Sequence, residues 1–146
     1  MHGSNILVGL LCTLALSSPA RACGDWLPKH GGQMNHDGGE VAFELVGQGR
    51  EVTLHLEDHG QPIPTAAVQG VLSFERDGKG LTSTLKPAGG NRMAVRLPSA
   101  LRKGDKLVAD ISLPNGAIAK GAFVYGVEVQ LRTRFGAPMN FAAPPR

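Results

Sequence analysis

The sequence is poor in the residues on which catalysis, disulfide bonds and base stacking usually depend. It has two cysteines, one tryptophan and one tyrosine. It contains no G-x-S-x-G elbow, no Gly-rich phosphate loop between a strand and a helix, and no Cys-x-x-Cys motif. Its basic residues are dispersed, which disfavours binding of single-stranded nucleic acid. We therefore expect neither an enzyme nor a nucleic-acid-binding protein.

Hydrophobic runs long enough to span a membrane are also missing. The longest apolar run, residues 6–16, has about 11 residues, whereas a transmembrane helix needs about 20. This run is followed by Ser17, Ser18 and Pro19 and then by the small-x-small sequence Ala20-Arg21-Ala22. That order is typical of a secretory signal peptide. We predict that residues 1–22 are removed and that the remaining chain is periplasmic or secreted, without stable membrane insertion.

Cleavage after Ala22 would leave Cys23 as the first residue and as the one remaining cysteine. No intramolecular disulfide is then expected, and the thiol becomes a candidate for intermolecular pairing or a bystander near the terminus. A lipid anchor on Cys23 is disfavoured, because a large aliphatic residue usually stands three positions before a lipidated cysteine and Ala20 stands there instead.

Charge is distributed unevenly along the remaining chain, which has the length of one domain. Residues 23–58 carry seven acidic residues against Lys29 and Arg50, whereas residues 59–146 carry twelve basic residues against five acidic ones. The four histidines after residue 22 lie within or beside the acidic part. Negative local potential raises the concentration of cations near such a segment.

The middle of the chain alternates apolar and polar residues with a period of two. The alternation is clear in VAFELVG (41–47) and EVTLHLED (51–58), and it indicates half-buried strands joined as a hairpin through Gly47-Gln48-Gly49. The same pattern and its turn signals recur further along. They predict strands at 67–76, 81–87, 92–97, 107–113 and 117–127, with a possible eighth strand beyond.

This pattern predicts an all-β protein, either an immunoglobulin-like antiparallel β-sandwich of seven to eight strands or a small β-barrel. We place the β-sandwich domain at residues 40–135. A Gly/His-rich leader at 23–39 is expected to be more loop than strand. Residues 136–146, rich in Pro and Ala, are expected to form a loosely ordered tail.

The leader contains the most suggestive set of ligands, in KHGGQMNHDGGE (29–40). His30, Met34 and His36 are separated by flexible glycines that would let their side chains converge on one ion. Imidazole suits copper, zinc and nickel, and a thioether favours copper(I). The sequence thus indicates a copper site, with zinc as the second choice. The plain alternative is a glycine-rich surface loop that happens to carry histidines.

Two further histidines could complete such a site. His55 lies on the strand face opposite the apolar side chains, so its ring should meet solvent or a neighbouring segment, and His59 follows in the next turn. If the leader folds over this hairpin, these residues could cluster, with Asp37 or Asp58 orienting an imidazole. Otherwise both are ordinary surface histidines. Ligation needs neutral imidazole, so affinity should fall below about pH 6.5.

Three segments between residues 30 and 98 share a set of short motifs: HGGQMNHDGGEVAFELV, EVTLHLEDHGQPIPTAAVQGVLSF and TLKPAGGNRMAVRLP. Together they resemble the small periplasmic "HGG" domains found beside heavy-metal efflux systems. The positions that match the pattern are His30, Gly31, Gly32, Gly38, Gly39, Asp58, Gly60 and Pro62. Met93 stands where leucine is usual and His59 enriches the corner. The resemblance implies a non-catalytic β-sandwich accessory protein of efflux or copper tolerance, with an efflux-pump adaptor as a partner.

These observations lead to a hypothesis and its alternatives. The first is a periplasmic metal-binding accessory protein that captures or buffers a transition-metal ion, copper before zinc, in heavy-metal resistance. The ligands would be His30, Met34 and His36, completed by His55 or His59. The second is an immunoglobulin-like module that binds a protein through an exposed strand edge without a metal. The third is a secreted structural domain.

Overall fold

The computed structural model describes residues 27–35 and 40–127. The predicted signal peptide, Cys23, the pair His36 and Asp37, and the tail at 136–146 lie outside these ranges. The possible strand after residue 127 does so as well. All statements about the structure below concern the described residues.

The described chain is all-β, which confirms the predicted fold class. It contains nine strands and, within residues 27–35 and 40–127, no helix. In chain order they are β1 (Gln33–Met34), β2 (Val41–Gln48), β3 (Glu51–Asp58), β4 (Gln61–Pro62), β5 (Gln69–Arg76), β6 (Lys79–Pro87), β7 (Arg92–Arg96), β8 (Lys106–Ser112) and β9 (Ile118–Val124). The seven longer strands fall where the alternation of the sequence predicts them. The two short strands, β1 and β4, have no such signal.

The strands form one antiparallel path in the order β1-β2-β3-β7-β6-β5-β8-β9, with β4 paired to β3. The two ends of this path approach each other, so the sheet is nearly closed into a small barrel. A Cβ atom on Gly121 of β9 would lie 2.8 Å from the ring of Phe43 in β2. The Gln33 side chain donates to the carbonyls of Val124 and Val127, at 2.7 and 3.0 Å.

The core follows directly from the alternation along the strands. Its members are the inward-facing apolar side chains of β2, β3, β5 to β9 and two connecting segments. They are Val41, Phe43, Leu45, Val52, Leu54, Leu56, Val68, Leu72, Phe74, Leu85, Met93, Leu97, Leu107, Ala109, Ile111 and Phe123. Met93, which stands where leucine is usual in the HGG pattern, is fully buried. Burial of these side chains provides the main driving force for folding.

The leader packs on the sheet through residues 27–35. Gln33 and Met34 pair with Leu45 and Glu44 of β2, although we expected this segment to be more loop than strand. Asn35 is buried, and its side-chain oxygen accepts the backbone N–H of Phe43 at 2.9 Å. Across the described residues, no helix is long and apolar enough to cross a membrane.

Candidate functional site

One buried carboxylate of β2 binds the start of the described leader. Glu44 is only 4% exposed. One of its oxygens accepts the backbone N–H groups of His30 and Gly32 at 2.7 and 2.8 Å, and the other accepts the backbone N–H of Lys29 at 2.9 Å. The second oxygen also accepts Nδ1–H of the His30 ring at 2.8 Å. Four N–H donors from three residues of the leader therefore converge on a single side chain.

The ionised form of Glu44 is favoured by these donors. Burial raises the pKa of the carboxyl group, but the hydrogen bonds from the His30 ring and from three backbone amides outweigh burial and lower it below the ordinary value. A hydrogen bond to a carboxylate is stronger than one between neutral groups. Glu44 is thus a fixed negative charge beneath the leader.

The same hydrogen bond fixes the orientation of His30. When Nδ1 donates to Glu44, Nε2 carries the lone pair of the neutral ring. The His30 side chain is 42% exposed, so this face of the leader meets solvent. Lys29 adds a second contact between the leader and the sheet, because its ammonium group pairs with Glu57 of β3 at 2.7 Å.

The ring of His30 stacks on the ring of His55 from β3. The two centroids lie 3.6 Å apart and the ring planes differ by 10°. His30 therefore covers His55, which is only 8% exposed although it lies on the face opposite the main core. We expected this ring to meet either solvent or a neighbouring segment, and it meets a neighbouring segment, the leader.

His55 is held as neutral imidazole. Burial lowers its pKa, and the neighbouring His30 lowers it further, while Glu44 and the side chain of Asn91 act in the opposite sense without offsetting the shift.

Nδ1 of His55 is buried and makes no hydrogen bond within the described residues. When the neutral ring carries its proton on Nε2, Nδ1 has the free lone pair. A buried nitrogen lone pair without a donor is costly, and such groups in native proteins usually have a reason to be left open.

Met34 lies in the same cross-strand row as these groups. It is opposite Glu44 on β2, and Glu44 is opposite His55 on β3, so the three side chains project from one side of the sheet. Met34, Glu44, His55 and Glu57 line a cleft with Leu27, Lys29 and Ala42, and the cleft holds about 10 Å³. That space suits a single water-sized atom or ion. We refer to His30, Met34, Glu44 and His55 as the leader site.

The two glycines after His30 serve different purposes. Gly31 has φ of 72°, a left-handed conformation that glycine adopts readily. Gly32 instead permits a close approach, because a Cβ atom there would lie 2.5 Å from the carbonyl oxygen of Leu45 and 2.9 Å from Cγ of Glu44. The His-Gly-Gly sequence thus lets three donors reach Glu44.

The remaining predicted ligands lie apart from the leader site or outside the description. His59 is in the turn after β3, with its side chain 72% exposed, and its Nδ1 is 2.5 Å from Asp58. The imidazole that Asp58 contacts is therefore that of His59, away from the leader site. His36 and Asp37 are not among the described residues. Within the described ranges, no three His, Cys, Asp or Glu side chains are arranged to hold a metal ion.

Sequence reasoning did not single out Glu44 or Asn91. Glu44 was counted only among the seven acidic residues of 23–58. A signal was nonetheless present, because the predicted 41–58 hairpin with its turn at 47–49 places Glu44 directly opposite His55. A carboxylate on a strand face beside a histidine is a candidate partner for a leader that contains another histidine.

Comparisons of the chain with protein-family models, with curated proteins and with solved structures find no match. The similarity to the HGG domains therefore stays a prediction based on short motifs.

Proposed function

We propose that this protein is a periplasmic metal-binding accessory module that captures or buffers a transition-metal ion, copper before zinc. The observation that carries the proposal is the buried Nδ1 of His55, which has no hydrogen-bond partner within the described residues. His55 and Met34 both line a cleft with room for one water-sized ion. Imidazole nitrogen and thioether sulfur are ligands that copper accepts. His30, whose ring lies on His55, offers a further nitrogen donor at Nε2, and the hydrogen bond from its Nδ1 to Glu44 holds the ring in place.

The negative charge of Glu44 supports the binding of a cation at this place. The carboxylate is buried beneath the leader and contacts the ring of His30. A carboxylate that accepts a hydrogen bond from Nδ1 of a metal-ligating histidine fixes the ring and increases its basicity. Glu44 would thus perform the orienting role that the sequence suggested for Asp37 or Asp58. Transfer of the ion to an efflux-pump adaptor is part of the proposal and draws on the HGG resemblance alone.

The experiment is a calorimetric titration of the protein with copper(II), with copper(I) under reductant, and with zinc. Cys12→Ser and Cys23→Ser should be introduced first, so that thiol binding does not contribute. We expect one saturable site near micromolar affinity or tighter. His55→Gln should weaken binding, and the double variant His30→Ala/His36→Ala should abolish the rise in melting temperature that the metal causes. His59→Ala serves as the matched control and should leave the affinity unchanged.

The alternative is a protein-interaction module that uses a strand edge. β9 lies at one end of the strand order, and its first residue, Ile118, is 74% exposed. This alternative replaces the metal-binding proposal if no metal binds, and if the histidine variants have the same melting temperature as the parent protein both in the presence and in the absence of metal.

A further inference from the structure

The donor atoms that line the leader site restrict the kind of ion it can take. Its carboxylates are already occupied. Both oxygens of Glu44 accept two hydrogen bonds each, and Glu57 pairs with Lys29 at 2.7 Å. A divalent ion such as zinc prefers four ligands in a tetrahedral arrangement. The cleft does not offer such a set without dismantling the contacts that hold the leader.

The stacked imidazoles impose a second restriction. A metal ion lies in the plane of the imidazole that binds it, along the nitrogen lone pair. The planes of His30 and His55 are nearly parallel and the ring centroids are 3.6 Å apart, so the two rings cannot direct lone pairs at one ion in this arrangement. Only one imidazole is available to an ion in the cleft, and it is His55, whose Nδ1 is buried and has no partner among the described residues.

The other available donor is the thioether of Met34. This side chain lines the same cleft and lies two strands away from His55. The two Cβ atoms are then roughly 10 Å apart, and the long, flexible methionine side chain can extend across much of that distance. One imidazole nitrogen and one thioether sulfur form a neutral pair of donors. Soft ligands of this kind select copper(I), and silver(I) shares its charge and softness.

We infer that the ion taken at the leader site is a soft monovalent cation of the copper(I) and silver(I) class, bound between Nδ1 of His55 and the sulfur of Met34. This inference rests on the proposed function and specifies the ion and its two ligands. The ring of His30 covers the ligating ring of His55 on the side that faces solvent. The single positive charge is matched by the single buried charge of Glu44, so the loaded site is electrically balanced.

The test is a competition titration of the Cys12→Ser/Cys23→Ser protein with silver(I), with copper(I) under anaerobic reductant, and with zinc. Met34→Leu keeps the shape of the side chain and removes the sulfur. We expect it to weaken silver(I) and copper(I) binding at least tenfold and to leave zinc binding unchanged. Met93→Leu, which removes a thioether from the core, is the matched control and should change neither affinity.

Nitrogen-15 NMR of the histidine side chains identifies the ligating atom. Silver(I) should shift Nδ1 of His55 and leave its Nε2 resonance close to the metal-free position. Equal silver(I) affinity in the parent protein and in Met34→Leu would overturn the inference. Tighter binding of zinc than of silver(I), or a shift at His30 rather than His55, would also overturn it while the proposed function stands. Absence of binding by every metal would remove both.

Discussion

His30 and His55 are in contact through the faces of their rings, with the centroids 3.6 Å apart. The contact joins a residue of the leader to a residue of β3, and it exists because Glu44 holds the backbone of residues 29, 30 and 32 as well as the His30 ring. Removal of any one of these groups should therefore affect the others. The leader site behaves as a unit rather than as a set of separate surface histidines.

Replacement of the carboxylate tests this dependence. In Glu44→Gln one oxygen becomes an NH₂ group that faces the N–H donors of the leader. We expect the free energy of unfolding to fall by about 2 kcal/mol, because buried hydrogen bonds to a charged acceptor are lost. The His30 ring should also leave His55, which nitrogen-15 NMR of the side chains would detect.

The matched control for Glu44→Gln is Glu51→Gln. Glu51 pairs with Arg96 at 2.5 Å on the same sheet, but its side chain is 52% exposed. An exposed pair contributes about 0 to 1 kcal/mol, so urea unfolding of this variant should resemble that of the parent. Equal losses in the two variants would show that Glu44 is not the anchor of the leader.

Gly32 should be intolerant of a side chain. In Gly32→Ala the new methyl group would lie 2.5 Å from the Leu45 carbonyl oxygen, so the leader must move away from β2. We expect a loss of about 1 to 3 kcal/mol, which is typical of overpacking, together with faster hydrogen exchange of the amides of residues 30 and 32. Gly80→Ala is the control, since nothing lies within 4 Å of its Cβ position and its φ is not positive.

The Arg76–Asp105 pair should make stability depend on pH in the acid range. Asp105 accepts Nε of Arg76 at 2.9 Å and the backbone N–H of Arg102 at 2.6 Å. The hydrogen bond from Arg76 lowers the pKa of Asp105 although burial opposes the shift. Because the folded pKa lies below the unfolded one, this stabilisation is present above about pH 4, the ordinary aspartate value, and is lost as pH falls through the lowered pKa.

Asp105→Asn should therefore be less stable than the parent at pH 7, and the difference should shrink as the pH is lowered from about 4 toward 2. Thermal unfolding at a series of pH values measures it. Asp110→Asn is the comparison, because Asp110 pairs with Lys120 at 2.9 Å but is more exposed. A difference between parent and Asp105→Asn that stays constant over this range would contradict the assignment.

The fold could be predicted from the sequence because alternation with a period of two encodes a buried strand face directly. Phe43 and Leu45, for example, carry the pattern through β2. The leader could not be predicted in this way. Gln33 and Met34 form a strand of two residues. Their position depends on polar contacts with residues distant in sequence, such as the hydrogen bonds of the preceding residues to Glu44 and of Gln33 to Val124.

Part of the candidate site was accessible from the sequence for a related reason. His30, Met34 and His55 were recognised by their chemistry. In the structure Met34 and His55 line one cleft, and His30 stacks on His55. Their grouping depends on register, since Met34, Glu44 and His55 meet only because β1, β2 and β3 pair as they do. His59 has the same chemistry but lies beyond the end of β3, in a turn with φ of 47°, and the sequence alone does not separate it from the others.

Closure of the sheet provides the last prediction. A Cβ atom on Gly121 would lie 2.8 Å from the Phe43 ring, so Gly121→Ala should destabilise the protein by about 1 to 3 kcal/mol. Phe43→Leu should itself cost about 1 to 2 kcal/mol through lost packing, and it also makes room for the new methyl group.

The double variant Gly121→Ala/Phe43→Leu should therefore lose less than the sum of the two single losses, with a coupling of at least about 0.5 kcal/mol in urea unfolding. Such coupling requires contact between β2 and β9, which lie near opposite ends of the strand order. Additive losses would mean that the two strands do not meet in solution, and the sheet would then be open. Because β2 also carries Glu44, an open sheet would leave the leader site on an unsupported edge.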